Sequence, residues 1–93
     1  MKTVKAIHLS GIDTCVVLTA PAEEGDMITY EDGGTDKNTA ALERIPIWHK
    51  LAVKPVKAGG NVYKYGAVIG TALVDIEPGE YVHTHNVRSP GRE

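Results

Sequence analysis

The most informative segment of this chain reads Asp75-Ile76-Glu77-Pro78-Gly79-Glu80-Tyr81-Val82. Two earlier segments, Pro21 to Ile28 and Pro55 to Val62, repeat its pattern. In each copy an aliphatic residue is followed three positions later by glycine, and three positions after that by another aliphatic residue: Ala22, Gly25, Ile28; Val56, Gly59, Val62; Ile76, Gly79, Val82. This spacing predicts a strand, a tight turn that needs glycine for a positive φ angle, and a returning strand. The chain is therefore expected to be a small, mainly β domain with bent hairpins.

The composition is typical of one ordered domain. The chain has 93 residues, of which 42% are hydrophobic and 24% are charged, values that favour a globular protein over a disordered one. We therefore interpret residues 1–93 as one domain, with a polar tail at 88–93 that is expected to fray. Because a small domain buries a modest fraction of its surface, we expect a partner subunit to help it. The isolated chain is also a candidate for homo-oligomerisation.

Charge and hydropathy argue against several classes of partner. The formal net charge is −2 and the ten basic residues are scattered without a basic run, so nucleic acid is not expected as a partner. The longest uncharged apolar run, residues 66–74, is too short to span a membrane. Cys15 is the single cysteine, which excludes an internal disulfide, fits a reducing compartment and predicts a buried, inert thiol. A cytoplasmic location is therefore expected.

Most of the remaining chain is predicted to be extended. Apolar, β-branched runs at 4–9 and 16–18 predict two early strands. Residues 35–44 could form one short helical turn capped by the first two of them, and an irregular strand is the alternative. Pro46 would end such a helix, because the residue before a proline favours extended geometry. We therefore expect at most one short helix.

Site chemistry concentrates after the last apolar segment, in His83-Thr84-His85-Asn86. If this is a strand, His83 and His85 project from one side and Asn86 lies at its exit. Two neutral imidazoles on one side suit a metal ion, or hydrogen bonds to a carboxylate or hydroxyl. A pair of surface histidines on a terminal strand is the alternative, and spacing alone does not choose between these interpretations.

Further candidates lie earlier in the chain. His49 and Lys50 could together hold a substrate carboxylate, although a solvated lysine beside a half-buried histidine is the commoner arrangement. Asp13 enters a strand, where it could serve a site or only cap a turn. Lys64, between two tyrosines, is a further candidate cation on a strand, although a lysine in this position is more commonly solvated. Trp48 is expected to cover one end of the core or an interface.

Several short motifs follow one another in the second half of the chain: His49-Lys50-Leu51-Ala52-Val53, Gly59, Lys64-Tyr65-Gly66, Ile69-Gly70, Asp75-Ile76, Pro78-Gly79-Glu80 and Val82-His83-Thr84-His85-Asn86. In this order they resemble the SAF domain of the altronate dehydratase family, which includes altronate and galactarate dehydratases and sulfolactate sulfo-lyases. Asp13 matches a weaker motif near the start. Two positions depart from the family pattern: Trp48 stands where many members have glycine, and Thr14-Cys15 replaces the more usual Asn-Val. These departures leave the substrate open.

The resemblance implies a β-clip fold and the role of a small subunit beside a large catalytic subunit of the same family. The implied activity is that of a hydro-lyase acting on a small hydroxy acid, such as an altronate-like aldonate or an aldarate. A base removes the proton α to the carboxylate, a divalent metal stabilises the enediolate, and water leaves. The resemblance implies catalytic and metal-binding roles, shared with the partner subunit, for His83 and His85. It implies substrate binding for five further residues: His49, Lys50, Asn86, Asp13 and Lys64.

The metal implied by the resemblance is Fe²⁺, Mg²⁺ or Mn²⁺. It is expected to be held mainly by the partner subunit, because few carboxylates lie near the motif. Three alternatives remain open: the small subunit of a sulfolactate sulfo-lyase-like enzyme, a non-catalytic module that binds a carbohydrate or acid, and a purely structural subunit.

Overall fold

The structure, a computed structural model, describes residues 1–89 and contains nine β-strands and no helix in that range. The strands are β1 (Thr3–Ile7), β2 (Cys15–Leu18), β3 (Met27–Asp32), β4 (Thr35–Ala40), β5 (Lys50–Ala52), β6 (Asn61–Lys64), β7 (Ala67–Ala72), β8 (Tyr81–Val82) and β9 (Val87–Arg88). One sheet has the order β4-β3-β1-β2-β5-β8, and the other has the order β6-β7-β9. Strands β1 and β3 are parallel, and the other described pairs are antiparallel. The prediction of a mainly β domain is confirmed.

The helical turn predicted at 35–44 is wrong. Its first six residues form β4, and every one of them is paired with a residue of β3. Gly33 and Gly34, with φ angles of 61° and 84°, form the tight reversal between the two strands. The hairpin gives the backbone groups of β3 partners along its whole length, so extended pairing outweighs the local capping signal.

The three predicted repeats all form the expected turn. Gly25, Gly59 and Gly79 have φ angles of 92°, 86° and 97°, a region that residues with a side chain avoid. The aliphatic residues on both sides of each glycine are buried, with at most 8% of their surface exposed. We call these segments turn A (22–28), turn C (56–62) and turn D (76–82).

A fourth copy, turn B (45–51), was not predicted. Ile45 and Leu51 are fully buried, and Trp48 occupies the glycine position with a φ angle of 68°. All four turns share one backbone hydrogen bond of 2.8 to 3.2 Å, in which the residue after the central position donates to a carbonyl three residues earlier: Asp26 to Glu23, His49 to Pro46, Gly60 to Lys57 and Glu80 to Glu77. A sequence search for the repeated glycine does not find turn B, because Trp48 occupies the glycine position there.

The four turns build two hydrophobic cores in pairs. Backbone bridges join turn A to turn B, and turn C to turn D. The aliphatic residues of turns A and B lie in the first core, and those of turns C and D lie in the second. Strand β5 runs between the cores, with Leu51 in the first and Ala52 in the second, as alternation along a strand requires. The two faces of β5 therefore belong to different halves of the domain.

The end of the chain is partly described. Arg88 completes β9, where it pairs with Thr71 of β7. The rest of the predicted frayed tail, from residue 90 onward, lies outside the described residues. Within residues 1–89, no helix is both long enough and apolar enough to cross a membrane.

Replacing Trp48 by glycine is expected to raise the free energy of unfolding by about 0.5 to 1 kcal/mol. The left-handed backbone costs a residue with a side chain roughly 1 to 2 kcal/mol, and the greater freedom of glycine in the unfolded chain offsets about half of that. Little burial is lost, since Trp48 is 61% exposed. Urea unfolding followed by circular dichroism measures the change. Trp48→Ala is the control, because it keeps the strain and should gain nothing; a net loss in Trp48→Gly would mean that the indole stabilises the turn.

Candidate functional site

Three imidazoles meet around the ring of Tyr81 on β8. The phenol oxygen of Tyr81 lies 2.5 Å from Nδ1 of His49, within hydrogen-bond distance. The ring of His83 stacks on that of Tyr81, with centroids 5.4 Å apart and planes 9° from parallel, and the ring of His85 lies 5.6 Å away. The rings of His49 and His83 are 5.2 Å apart. We call these four residues the ring cluster.

The two C-terminal histidines reach the ring cluster from a turn. The expectation that they lie on one strand is wrong, because β8 ends at Val82 and residues 83–86 do not continue it. Asn86 shapes this turn: its Oδ1 accepts the backbone N–H of His83 at 3.0 Å, and its Nδ2 donates to the carbonyl of Tyr81 at 2.9 Å. Asn86 is buried, and both its polar atoms are used within the chain. The structure therefore places Asn86 as the residue that orients the histidines.

Trp48 lies next to the ring cluster in sequence, immediately before His49. It does not cover the core, since 61% of its surface is exposed. The neighbouring Ile47 is also exposed, at 42%. The other role expected for Trp48, that of an interface residue, stays a prediction.

A pocket of about 320 Å³ lies against His83, on the side of the second core. It is lined by Lys50, Lys64, Ile69, Val82, His83, Thr84, Val87 and Ser89, and we call it the lysine pocket. Lys50 is paired with Val82 across β5 and β8, so the two side chains lie on the same face. Nζ of Lys64 lies 4.8 Å from the centroid of the Tyr65 ring, a cation–π distance. Lys50 and Lys64, candidates on separate motifs in the sequence, therefore share one pocket.

Loss of hydration, together with neighbouring positive groups, lowers two pKa values in this region. Burial, followed by the charge of Lys64, holds the pKa of Lys50 below its usual range. Loss of hydration, followed by the charges of His49, Lys50 and His85, holds the pKa of His83 below its usual range. A histidine with a lowered pKa is mostly neutral at pH 7 and can accept a proton or coordinate a metal. The site is thus a basic region in which His83 is available as a base.

Asp13 is placed away from solvent, with 1% of its surface exposed. Its carboxylate accepts the backbone N–H groups of Tyr65 and Gly66, both at 2.8 Å, and of Ser10 at 3.3 Å. The turn-capping alternative is therefore what the structure shows. Because Tyr65 follows Lys64, Asp13 also fixes the end of β6 that carries a lysine of the pocket.

Cys15 is buried, as predicted, with 1% of its surface exposed. Burial is the main cause that raises the pKa of its thiol to about 11. At pH 7 the thiol is therefore protonated and a poor nucleophile.

Comparison with known proteins identifies the family. Residues 4–90 match the family model described as the altronate/galactarate dehydratase SAF domain. The chain belongs to this family. The SAF domain is 36% identical over 84 residues to altronate dehydratase of Escherichia coli K12, covering 89% of this chain and 16% of that enzyme. The chain thus spans only a small part of that relative.

Two other relatives match this SAF domain over most of their own length. It is 46% identical over 55 residues to (2R)-sulfolactate sulfo-lyase subunit alpha of Paracoccus pantotrophus, covering 59% of this chain and 82% of the relative. It is 36% identical over 76 residues to the subunit of the same name from Chromohalobacter salexigens, covering 80% of this chain and 81% of the relative. The SAF domain therefore matches most of two alpha subunits and a small segment of a longer enzyme.

The implied divalent metal does not fit the described part of this SAF domain alone. Within residues 1–89, no group of three or more His, Cys, Asp or Glu side chains could hold a metal ion. Nδ1 of His49 faces Tyr81. A complete metal site would need ligands from outside the described residues.

Sequence reasoning missed Tyr81 as a site residue. It was assigned only to the last repeat, although it contacts all three histidines of the ring cluster. The sequence did contain a signal for this role: Tyr81 lies two residues before His83. An aromatic ring at that spacing can lie beside the histidine pair and orient its imidazoles. The SAF domain's candidate site is therefore the ring cluster together with the lysine pocket.

Proposed function

We propose that this chain is the small subunit of a hydro-lyase that eliminates water from a sugar acid, an aldonate or an aldarate, and that it works beside a large catalytic subunit of the same family. The observation that carries the proposal is the ring cluster, which gathers three imidazoles, one of which, His83, also lines the pocket of the two lysines. A hydroxy acid needs cations to bind its carboxylate and a base to exchange protons, and this surface offers both.

The chemistry assigns a role to each group. Lys50, Lys64 and His49 attract the acid and hold its carboxylate. Loss of hydration is the main cause that lowers the pKa of His83, so its imidazole is mostly neutral at pH 7 and free to accept a proton from the acid. His85 can deliver a proton to the departing hydroxyl, so that water leaves. Tyr81 keeps the three imidazoles in place through its hydrogen bond and ring contacts.

A large partner subunit is part of the proposal for two reasons. The relatives that the chain covers over most of their length are named as alpha subunits, and exposed apolar residues, Ile47 and Trp48, lie directly before His49. Trp48 also keeps an unfavourable backbone geometry, which persists where function needs it. We propose that these residues contact the large subunit, which would hold most of the divalent metal's ligands. The cytoplasmic location expected from the composition belongs to the same proposal.

The experiment compares the purified chain alone with the chain purified together with a large subunit of the family encoded beside it. Each preparation is incubated with aldonates, aldarates and sulfolactate, and formation of the 2-oxo acid is measured. We expect turnover of a sugar acid only in the mixture. Turnover of sulfolactate alone would favour the sulfo-lyase alternative, which the 46% identity to an alpha subunit supports. No turnover of any acid by an intact complex would favour a binding or structural module.

Replacing His83 or His85 by alanine in the complex is expected to lower kcat by about 100-fold or more, the usual size of a lost general acid or base. Both side chains are exposed, so folding should be little affected. The measurement is initial rate against substrate concentration, with complex formation checked by size-exclusion chromatography. Glu24→Ala, an exposed change in turn A, is the control. Unchanged turnover in both histidine variants, with the complex intact, would contradict a catalytic role.

A further inference from the structure

The two faces of the β5–β8 pair carry different chemistry. Leu51 and Tyr81 pair on one face, where Tyr81 packs on the first core and holds the ring cluster. Lys50 and Val82 pair on the other face, toward the second core. His83 follows β8 directly and belongs to both places, since its ring stacks on Tyr81 and also lines the lysine pocket. A ligand that touches His83 can therefore extend from the ring cluster into the lysine pocket.

The lysine pocket has an excess of positive charge. None of its lining residues is acidic, and no ion pair of Lys50 or Lys64 occurs among residues 1–89. Cys15, the thiol beneath it, is protonated at pH 7 and supplies no negative charge. Lysines gathered without a counter-charge are unfavourable unless an anion binds between them.

A second cleft shows that the excess of positive charge is a property of the lysine pocket and not of every cleft in the domain. It is larger, about 410 Å³, and is also lined by two lysines, Lys5 and Lys37. Its lining includes Glu31 and Asp36, and Lys37 lies 3.3 Å from the carboxylate of Asp32. Charge is balanced in that cleft and unbalanced in the lysine pocket.

We infer that the lysine pocket binds a second acidic group of the substrate, so that the chain selects acids with two anionic groups over acids with one. The inference takes its ligand class, small hydroxy acids, from the proposed function. One acidic group and its α-carbon lie at the ring cluster, and the far end of the molecule lies between Lys50 and Lys64. A pocket of about 320 Å³ is at the lower end of the usual range for small-molecule sites and accommodates a carboxylate or sulfonate with the carbons next to it.

The test measures binding to the full chain without turnover. Galactarate and galactonate form a matched pair that differs by one carboxylate on the same carbon skeleton. Sulfolactate and lactate form a second pair that differs by a sulfonate. We expect the acid with two anionic groups to bind at least about tenfold more tightly within one pair, the effect of one charged contact. The pair that shows the difference identifies the second group as carboxylate or sulfonate. Isothermal titration calorimetry, with amide chemical shifts in the presence of each acid, gives the affinities and the residues affected.

Variants locate the effect. Lys50→Met and Lys64→Met should each weaken binding of the doubly charged acid more than binding of the singly charged acid, and so remove most of the preference. Lys57→Met removes the same charge at a side chain that is 85% exposed and outside the lysine pocket, and it should leave the preference intact. Amide spectra check the fold of each variant, and Lys64→Met carries the test if Lys50→Met is unfolded.

Three results would overturn the inference: equal affinity within both pairs, no saturable binding of either doubly charged acid, or an equal loss in Lys57→Met. Failure of the proposed function is a separate result. In that case a complex with the large subunit would bind the doubly charged acid with the predicted preference and still not eliminate water from any acid.

Discussion

Alanine at position 79 is expected to destabilise the domain by about 1.5 to 4 kcal/mol. Gly79 has a φ angle of 97°, which costs an alanine roughly 1 to 2 kcal/mol, and the lower freedom of alanine in the unfolded chain offsets about half of that. A Cβ atom would also lie 2.5 Å from the carbonyl oxygen of Ala40 and 2.8 Å from Cγ of Leu42. Relieving that overlap requires backbone movement, which typically costs about 1 to 3 kcal/mol more. Because a domain of this size is stable by only about 5 to 15 kcal/mol, Gly79→Ala should lose a large part of its stability.

Gly59→Ala is the matched control for this prediction. Gly59 occupies the same position in turn C, with a φ angle of 86°, and a Cβ atom there would meet nothing within 4 Å. Only the backbone cost, less the part offset in the unfolded chain, applies, so the loss should be about 0.5 to 1 kcal/mol. Urea unfolding followed by circular dichroism measures both variants. Equal losses would mean that turn D moves freely away from residues 40–42, and the ring cluster would then rest on a mobile turn.

The sequence predicted the fold wherever side-chain spacing and backbone conformation demand the same residue. In turns A, C and D, glycine is required by the positive φ angle and the flanking aliphatic residues by burial, so the pattern is visible. In turn B the same backbone carries Trp48, and the pattern disappears although the hydrogen bond remains. For residues 35–40 the sequence did not decide between a helical turn and a strand, and the reason is different. Their polar sequence fits an exposed edge strand as well as a helix start, and only the pairing with β3 decides.

The candidate site was predicted in part, because a sequence shows which residue types could bind or catalyse but does not show how their side chains are arranged in space. His83 and His85 were candidates by residue type, and they do lie together with His49. Their geometry comes from the turn that Asn86 closes rather than from strand alternation. Pairing across β5 and β8 brings His49 to Tyr81, and neither the spacing nor the composition encodes which strands pair.

Replacing Asp13 by alanine is expected to lower the free energy of unfolding by about 3 kcal/mol or more. Its carboxylate accepts three backbone N–H groups, from Ser10, Tyr65 and Gly66, within a site that is 1% exposed. Alanine leaves these donors without an acceptor, and each buried donor without one costs about 1 to 3 kcal/mol. Urea unfolding measures the loss. Asp75→Ala is the control: its side chain is 55% exposed and accepts one backbone N–H, from Ala58, so about 1 kcal/mol or less should be lost.

Asp13→Asn separates the structural role from a direct contact with substrate. Asparagine keeps one oxygen, which in the position of Oδ2 can still accept from Ser10 and Tyr65. Its amide group then opposes the N–H of Gly66, so an intermediate loss of stability is expected. If Asp13 acts only through the backbone, the folded variant in complex with a large subunit should keep a KM close to that of the unchanged chain, because the substrate never meets the carboxylate. A KM raised tenfold or more at full occupancy of the folded state would instead require the loop at residues 10–13 to open, exposing Asp13 to the acid. Asp13 would then bind the substrate when this loop is open, and its buried hydrogen bonds would form only when the loop is closed.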